Sequence, residues 1–317
     1  DFISAQENSI SDFFPKIETL VSNDPSEGYF FMGSKGVSAS GGSQYIAIVD
    51  NYGTPVFFRK MNKATSSIKP LNDGRIAYLH GVPRKLYFLS EMLQETDILS
   101  IKNFKPNGHD WDISDSGNIL LMGESTRTFD MGQLVDGGNP NAEILDLVVQ
   151  EFNSEYKLIF EWSSADYFEI TDANENSPYV DFTENQMDYI HTNAICYDSD
   201  TSFLISNRHM DEISKIDKRS GEIIWRLGGK RNQFEFINDE TRFSHQHSVR
   251  KLQNGNIILF DNGNLHSPQQ SGTLEYRLDE KNKTATLIKR FAHQPDEVYS
   301  NHQGATQRIE SGNTLIN

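Results

Sequence analysis

Four histidines of this 317-residue chain stand at one point of a repeated pattern, shortly before a tight turn. They are His109, His191, His247 and His302, which precede Gly117, Asp200, Gly255 and Gly312 by 8, 9, 8 and 10 residues. A neutral imidazole can act as a nucleophile, and its ordinary pKa of about 6.5 also suits it to proton transfer. Imidazoles at one level of a repeating fold would therefore converge on a site suited to group transfer.

A single arginine accompanies this histidine set. Arg208 ends the apolar segment Phe203-Leu-Ile-Ser-Asn-Arg208, 17 residues after His191, which places it late in or just after a strand. Its guanidinium presents a rigid fork of donors that suits a tetrahedral oxyanion such as sulfate or phosphate. A solvated surface arginine is the alternative. A fixed cation in a chain of net charge −16 would be a local exception.

Other ligands are disfavoured by the same residues. Each histidine alone is explained equally well by a hydrogen bond within a sheet. A transition metal held by the histidines would meet the positive charge of Arg208, so we predict no metal site. Residues 172–183 have acidic and amide groups at positions 1, 3 and 5 of a calcium loop, but Ser177 replaces the glycine and Thr183 the terminal glutamate. A polar insertion loop is predicted there instead.

The elements that must position these residues are short strands. Apolar stretches of 4 to 8 residues are broken by Gly, Asn, Asp and Ser, as in half-buried β-strands. One hairpin signal recurs at 72–74, 115–117, 198–200, 253–255 and 310–312. A second set of hairpins is predicted at 49–53, 89–93, 152–156, 216–221 and 278–283. Two hairpins in each repeat make a four-stranded unit, as in the blade of a β-propeller.

The predicted fold is therefore all-β, a six-bladed β-propeller with a short N-terminal arm. The arm comprises residues 1–27 with a short helix over 6–22, and the propeller domain comprises 28–317. The blades are predicted at 28–59, 66–104, 107–163, 188–229, 243–292 and 299–317, with insertions at 125–148 and 164–187. The last blade stops after about two strands. The first strand of each blade lines the central channel, so the histidines are expected at one channel mouth.

Charge and composition exclude several classes of partner. Lys and Arg number 29 and Asp and Glu number 45, so the surface is acidic, and nucleic acid and anionic membranes are not expected partners. No apolar run approaches the roughly 18 residues of a transmembrane helix. The single Cys196 excludes an intrachain disulfide. The chain starts at Asp1, which fits a mature protein whose leader was removed, so a periplasmic or secreted location is expected.

Several segments, taken together, resemble the bacterial arylsulfate sulfotransferases. The match covers roughly residues 105 to 317. It rests on Gly108-His109-Asp, Tyr189-Ile-His191-Thr-Asn193, Leu204-Ile-Ser-Asn-Arg208, Gly221-Glu-Ile-Ile-Trp-Arg-Leu-Gly-Gly229 and Phe243-Ser-His-Gln-His247, in this order. The resemblance implies a propeller that moves a sulfuryl group from an aryl sulfate donor to a phenolic acceptor, with no cofactor and no nucleotide donor.

The resemblance also implies roles for individual residues. Gln246-His247 matches the motif of the nucleophile, which becomes transiently sulfated in a ping-pong mechanism. His109, His191 and Arg208 match the groups that hold the sulfuryl oxygens and manage the phenol proton. Substrate contacts are expected from the residues near them, namely Asn193, His302 and the aromatic Trp111, Tyr189 and Phe243. The alternative is a non-catalytic propeller that binds a protein or glycan through its rim loops. The oligomeric state is left open.

Overall fold

The computed structural model describes residue 14 and residues 17–34, 44–292 and 298–317. Within these ranges the regular structure consists of β-strands and short 3-10 helices, which confirms the all-β prediction. The chain divides into two compact units, Asp1–Lys102 and Asn103–Asn317. Every predicted site residue lies in the second unit. No helix of the described ranges has the length and apolar character needed to cross a membrane.

The N-terminal unit contains a three-stranded and a four-stranded antiparallel sheet. The strands of the first are β1 (Phe30–Gly33), β2 (Gln44–Val49) and β3 (Pro55–Met61). Those of the second are β4 (Thr65–Pro70), β5 (Ile76–His80), β6 (Lys85–Leu89) and β7 (Glu95–Leu99). Phe14 is buried against Ala47 and Val49 of β2. Residues 17–22 form neither helix nor strand, and the remainder of the predicted helix lies outside the described residues except for Phe14.

The C-terminal unit contains the sheets that carry the histidines. The first consists of β8 (Lys105–Ile113), β9 (Ile119–Phe129), β10 (Ala142–Phe152) and β11 (Leu158–Ser163), with β12 (Gln186–Met187) parallel to β10. The second consists of β13 (Thr192–Ser199), β14 (Ser202–Asn207), β15 (Glu212–Asp217) and β16 (Ile223–Gly228). The third consists of β17 (Glu235–Ile237), β18 (His247–Lys251), β19 (Ile257–Asp261), β20 (Gly272–Asp279) and β21 (Thr284–Ala292). The last pairs β22 (Thr306–Arg308) with β23 (Thr314–Ile316).

All ten predicted hairpin turns are confirmed, because each falls between two paired antiparallel strands. The turn glycines explain why the hairpins can be recognised in the sequence. Gly117 and Gly255 adopt φ of +83° and +85°, a region that L side chains rarely enter. Their N–H groups close the turns on the carbonyl oxygens of Ser114 and Leu252, each at 2.9 Å. The hairpins therefore fix the register of the strands that they join.

The first strands of neighbouring sheets lie side by side in this unit, β8 beside β13 and β13 beside β18. Two carboxylates of β8 stabilise its contact with β13. Asp110 accepts from the Ile195 amide at 3.2 Å, and Asp112 accepts from the Tyr197 amide at 2.9 Å. Buried backbone N–H groups need such partners. His109 lies within β8, His191 immediately precedes β13 and His247 begins β18, so this packing brings the three together.

Candidate active site

Four aromatic rings form a row at the start of these strands. The rings of His109 and His191 meet edge to face, with centroids 4.9 Å apart. His191 stacks on His209 at 4.5 Å, and His209 stacks nearly parallel on Tyr179 at 5.2 Å. Three histidines from separated segments are thus in direct contact, as the repeat pattern predicted for two of them.

Arg208 and His209 lie on a 3-10 turn, Arg208–Met210, directly after β14. Two backbone hydrogen bonds join the turn to the residues just before β13. The Arg208 amide donates to the His191 carbonyl at 3.2 Å, and the His209 amide donates to the Ile190 carbonyl at 3.3 Å. Asp211 ends the turn in a left-handed conformation. The position of Arg208 just after a strand agrees with the prediction.

The guanidinium of Arg208 is buried and held on three sides. Nη1 donates to Nε2 of His209 at 3.0 Å, and Nη2 donates to the Asn301 carbonyl at 3.0 Å. The Tyr179 ring lies 4.4 Å from the guanidinium carbon, within cation–π range. Nε is buried and has no hydrogen-bond partner among the described residues. A buried cation with an unpaired donor suits an anion.

Two glycines of the Trp-Arg-Leu-Gly-Gly segment explain how this turn is packed. A Cβ at Gly228 would stand 2.4 Å from the Asp211 carbonyl oxygen, and one at Gly229 would stand 2.5 Å from that of Met210. Both contacts are too short for any side chain. The glycines therefore let β16 approach the backbone of the turn that carries Arg208.

All four imidazoles of the site have Nδ1 facing an oxygen acceptor. His109 donates to Asn107 Oδ1 at 2.8 Å and His247 to Asn262 Oδ1 at 2.7 Å. The other two share Asp188, whose carboxylate accepts from His191 and whose carbonyl accepts from His209. In the neutral ring, a proton on Nδ1 leaves the lone pair on Nε2. The site therefore sets one tautomer for all of them.

The nitrogen of His247 that remains for chemistry is Nε2. Asn262 cannot turn its amide over, because its Nδ2 group donates to the carbonyls of Ser300 and Gln303, both at 2.8 Å. The pKa of His247 is lowered to about 3, chiefly by burial; the Asn262 hydrogen bond opposes the shift, and electrostatic interaction with Arg208 and His191 adds to it. No hydrogen-bond partner for Nε2 is found within the described residues. His247 is thus a neutral imidazole near neutral pH.

His191 has a different environment. It is half-buried, and Asp188 accepts both from its Nδ1 at 2.5 Å and from its backbone amide at 2.8 Å. Burial raises the pKa of Asp188, but the hydrogen bond and charge of His191 outweigh it, so this pKa lies below its ordinary range. His191 itself has φ of +42°, which is uncommon outside glycine. The carboxylate holds the residue in this strained conformation.

Sequence reasoning missed His209 as a member of the site. The pKa of His209 is lowered to about 3, chiefly by burial and then by electrostatic interaction with His191, while Asp188 opposes the shift. The ring is therefore neutral, which lets Nε2 accept from Arg208. Its position next to Arg208 in the sequence was the available signal. Asp188, Tyr179 and Asn262 were also missed, and only Asp188 had a local signal, three residues before His191.

Gln246 and Asn193 hold the segment that leads to His247. The Gln246 side chain is buried and donates to Ser206 Oγ at 3.1 Å and to the Glu212 carbonyl at 3.0 Å. Asn193 donates to the Gln246 carbonyl at 2.7 Å. Asn193 Oδ1 is buried with no partner among the described residues. Gln246 of the Gln-His motif therefore anchors the backbone next to His247. A substrate contact by Asn193 stays a prediction.

The predicted aromatic contacts lie in the core. Trp111 and Tyr189 are fully buried and Phe243 is 5% exposed. The Tyr189 hydroxyl donates to Asp146 at 3.0 Å, away from the ring row. Aryl stacking by these three stays a prediction that their burial does not support. His302 is exposed in the loop whose Asn301 carbonyl accepts from Arg208, so its role also stays a prediction.

The side chains of Asp188, His191 and His209 are close enough together to be considered as metal ligands. Several of their donor atoms are already engaged: Nδ1 of His191 binds the carboxylate of Asp188, and Nδ1 of His209 binds its carbonyl. Nε2 of His209 faces the guanidinium of Arg208 at 3.0 Å. Because a guanidinium repels a cation and attracts an anion, this donor set fits an anion site better than a metal centre.

Comparison with known proteins gives a family and a fold. The family model described as Arylsulfotransferase (ASST) matches residues 19–317, which confirms the resemblance predicted from the motifs. No curated protein matches the chain.

Two solved structures are similar over most of the chain. One is a protein of unknown function from Bacteroides caccae, with TM-score 0.54 and 12% identity over 92% of this chain and 82% of that one. Another is U3-55K, with TM-score 0.50 and 9% identity over 90% of this chain and 68% of that one. At such low identity the likeness concerns the fold alone.

Proposed function

The chain belongs to the arylsulfotransferase (ASST) family, and on that premise we propose that it moves a sulfuryl group between phenols through a sulfated His247. The observation that carries the proposal is the state of His247. Its pKa is lowered to about 3 by burial, Nδ1 is bound to Asn262, and Nε2 keeps its lone pair. A neutral imidazole of fixed tautomer beside a buried guanidinium is what nucleophilic attack on a sulfate ester requires.

In the first half-reaction, Nε2 of His247 attacks the sulfur of the aryl sulfate. The S–N bond forms, the S–O bond to the ring breaks, and the electron pair leaves with the aryl oxygen. His191 or His109 enters this half-reaction as the imidazolium and gives its Nε2 proton to that oxygen, so the product is a neutral phenol and the ring is left neutral with its proton on Nδ1. Splitting the transfer in this way replaces one difficult step by two easier ones.

In the second half-reaction, an acceptor phenol takes the place of the first. The same imidazole removes its proton, the phenolate oxygen attacks sulfur, and the S–N bond breaks with its electron pair returning to Nε2. Proton transfer by a positioned histidine contributes about 10²- to 10⁴-fold. Because the donor product leaves before the acceptor binds, ping-pong kinetics are expected.

Arg208 is proposed to bind the oxygens of the sulfuryl group. Sulfuryl transfer, like phosphoryl transfer, is expected to pass through a loose transition state with charge on the equatorial oxygens. The buried Nε of Arg208 has no partner among the described residues, so an oxyanion would complete its hydrogen bonding. Fixed donors of this kind contribute about 3 kcal/mol each.

The architecture belongs to the proposal as well. Sheets with first strands side by side, and two hairpins in each four-stranded repeat, support a β-propeller for the chain. The count of six blades and the division into an arm of residues 1–27 and a domain of 28–317 remain parts of this proposal. A periplasmic or secreted location is proposed with it and is tested by cell fractionation.

The testing experiment is transfer from 4-nitrophenyl sulfate to a second phenol, followed by release of nitrophenolate and detection of the new aryl sulfate. We expect product from the wild-type chain and none above background from His247→Asn. His80→Asn, in β5 of the N-terminal unit and outside the predicted site, serves as the control for the same substitution. Absence of product from the wild type with several aryl sulfates would favour the rival, a propeller that only binds a partner through its rim loops.

A further inference from the structure

We propose that Asp188 is the positioning residue of the site, which sets the tautomers of His191 and His209 together. The inference about the two tautomers stands on geometry alone, and its consequence for catalysis rests on the proposed function. Nothing in the sequence pattern that led to the four site residues included this carboxylate.

Three hydrogen bonds of Asp188 carry the inference. Its Oδ1 accepts from the His191 amide at 2.8 Å and its Oδ2 from His191 Nδ1 at 2.5 Å. Its carbonyl oxygen accepts from His209 Nδ1 at 2.5 Å. The one residue therefore fixes two stacked rings, whose centroids are 4.5 Å apart.

The consequence reaches Arg208 through the second ring. With its proton on Nδ1, His209 presents the Nε2 lone pair, and Arg208 Nη1 donates to it at 3.0 Å. With its proton on Nδ1, His191 keeps Nε2 as the atom that can take a proton from a phenol. Asp188 thus acts on the acid–base group directly and on the oxyanion-binding group through His209.

Asp188→Asn is an informative variant because the amide has nearly the same shape as the carboxylate. Its oxygen can serve only one of the two N–H groups of His191, and its NH₂ group must face the other. The backbone amide cannot become an acceptor, whereas the imidazole can move its proton to Nε2. The variant is therefore expected to reverse the tautomer of His191 while the fold persists.

The first test is ¹⁵N NMR of the histidine rings, assigned with a His191→Gln variant. We expect Nδ1–H at His191 in the wild type and Nε2–H in Asp188→Asn, while the exposed, matched Asp181→Asn keeps the wild-type pattern. A neutral wild-type His191 ring with its single proton on Nε2 would overturn the proposal, and the wild-type spectrum decides this even where the variant fails to fold.

The second test is the dependence of the rate on the leaving group. A good leaving group such as nitrophenolate departs without a proton, whereas phenolate needs one. Asp188→Asn should lower kcat/KM about 100-fold or more for phenyl sulfate and less than about tenfold for 4-nitrophenyl sulfate. Equal losses for both donors would overturn the catalytic role. Failure of wild-type transfer with a correct tautomer would instead refute the proposed function.

Discussion

His191 and His247 are imidazoles of one site with opposite surroundings. His191 is half-buried and bonded to a carboxylate, and its ring faces His109 and His209. His247 is buried and bonded to an amide whose orientation is fixed by two carbonyls. Under the proposed function the surroundings of the two rings separate their roles: burial without a carboxylate partner keeps His247 neutral as the nucleophile, and the carboxylate of Asp188 would stabilise the charge of a proton carrier at His191.

The largest effect is expected where the nucleophile itself is removed. His247→Asn deletes the attacking Nε2 and should lower kcat by about 10⁴-fold or more, as the loss of a nucleophile does elsewhere. Initial rates of aryl sulfate consumption measure it. A residual rate within tenfold of the wild type would show that His247 is not the nucleophile and that the two histidines do not have the separate roles proposed for them.

The next effect concerns the buried cation of the site, Arg208. Arg208→Ala removes the donors aimed at the oxyanion and should lower kcat about 10²- to 10³-fold. Arg208→Lys keeps the charge but cannot reach both His209 and Asn301, so it should recover only a small part of the activity. The comparison of kcat with KM in the two variants tests this. Full activity in Arg208→Lys would contradict a geometric role.

Replacing Asn262, the partner of His247 Nδ1, tests whether an amide and a carboxylate at this position have different effects on the ring. Asn262→Asp places a carboxylate opposite Nδ1 of His247, which should raise the pKa of this ring toward neutrality. Below that pKa, the fraction of neutral nucleophile falls about tenfold for each pH unit, so an acid limb should appear in kcat/KM.

Asn262→Ala is the control for this exchange, because it removes the hydrogen bond without adding a charge. Its rate should fall by a similar factor at every pH. An acid limb of equal position in the wild type and Asn262→Asp would show that the charge of the group opposite Nδ1 does not control the pKa of His247.

A smaller effect is expected at the end of the ring row. Tyr179 stacks on His209 and covers the Arg208 guanidinium. Tyr179→Ala should cost about tenfold in kcat/KM, since stacking and cation–π contacts are worth about 1 kcal/mol each. Tyr179→Phe retains the ring and should match the wild type. A large loss in Tyr179→Phe would instead assign a role to the hydroxyl.

The last prediction concerns stability. The pKa values of His247 and His209 are about 3 in the folded chain against 6.5 as the reference value, so the unfolded chain binds more protons between these limits. Stability is therefore full above about pH 6.5 and is lost as the pH falls, by about 1.4 kcal/mol per pH unit for each ring. Denaturant unfolding between about pH 4 and 6 should show a slope smaller by that amount in His247→Asn. An unchanged slope would contradict the buried, neutral state.

The contact between His109 and His191 could be predicted because repeated hairpins place equal positions at equal levels, whereas Arg208 was predicted from its place after an apolar segment in the same repeat as His191. The turn glycines carried most of that information, since φ near +85° at Gly255 has few alternatives. Contacts made by the irregular segments could not be predicted in this way. Tyr179 comes from the insertion before β12, and no repeat fixes its position.

The aromatic contacts were predicted from nearness in the sequence, which does not determine the direction in which a ring points. Trp111 follows His109 by two residues and would share its face in a regular strand, but the pairing of β8 with β9 shifts between Pro106 and Trp111. Tyr189 precedes His191 by two residues, and the left-handed backbone of His191 turns the chain there. Both rings are buried as a result.

The central claim is that His247 alone receives the sulfuryl group. The measurement that tests it most directly is mass spectrometry of peptides from chain that was mixed with an aryl sulfate and quenched before any acceptor was added. We predict one added sulfuryl group on the peptide that holds His247, formed with one equivalent of phenol, and none in His247→Asn. Turnover by the wild type with a sulfuryl group on another residue, or on none, would contradict the account.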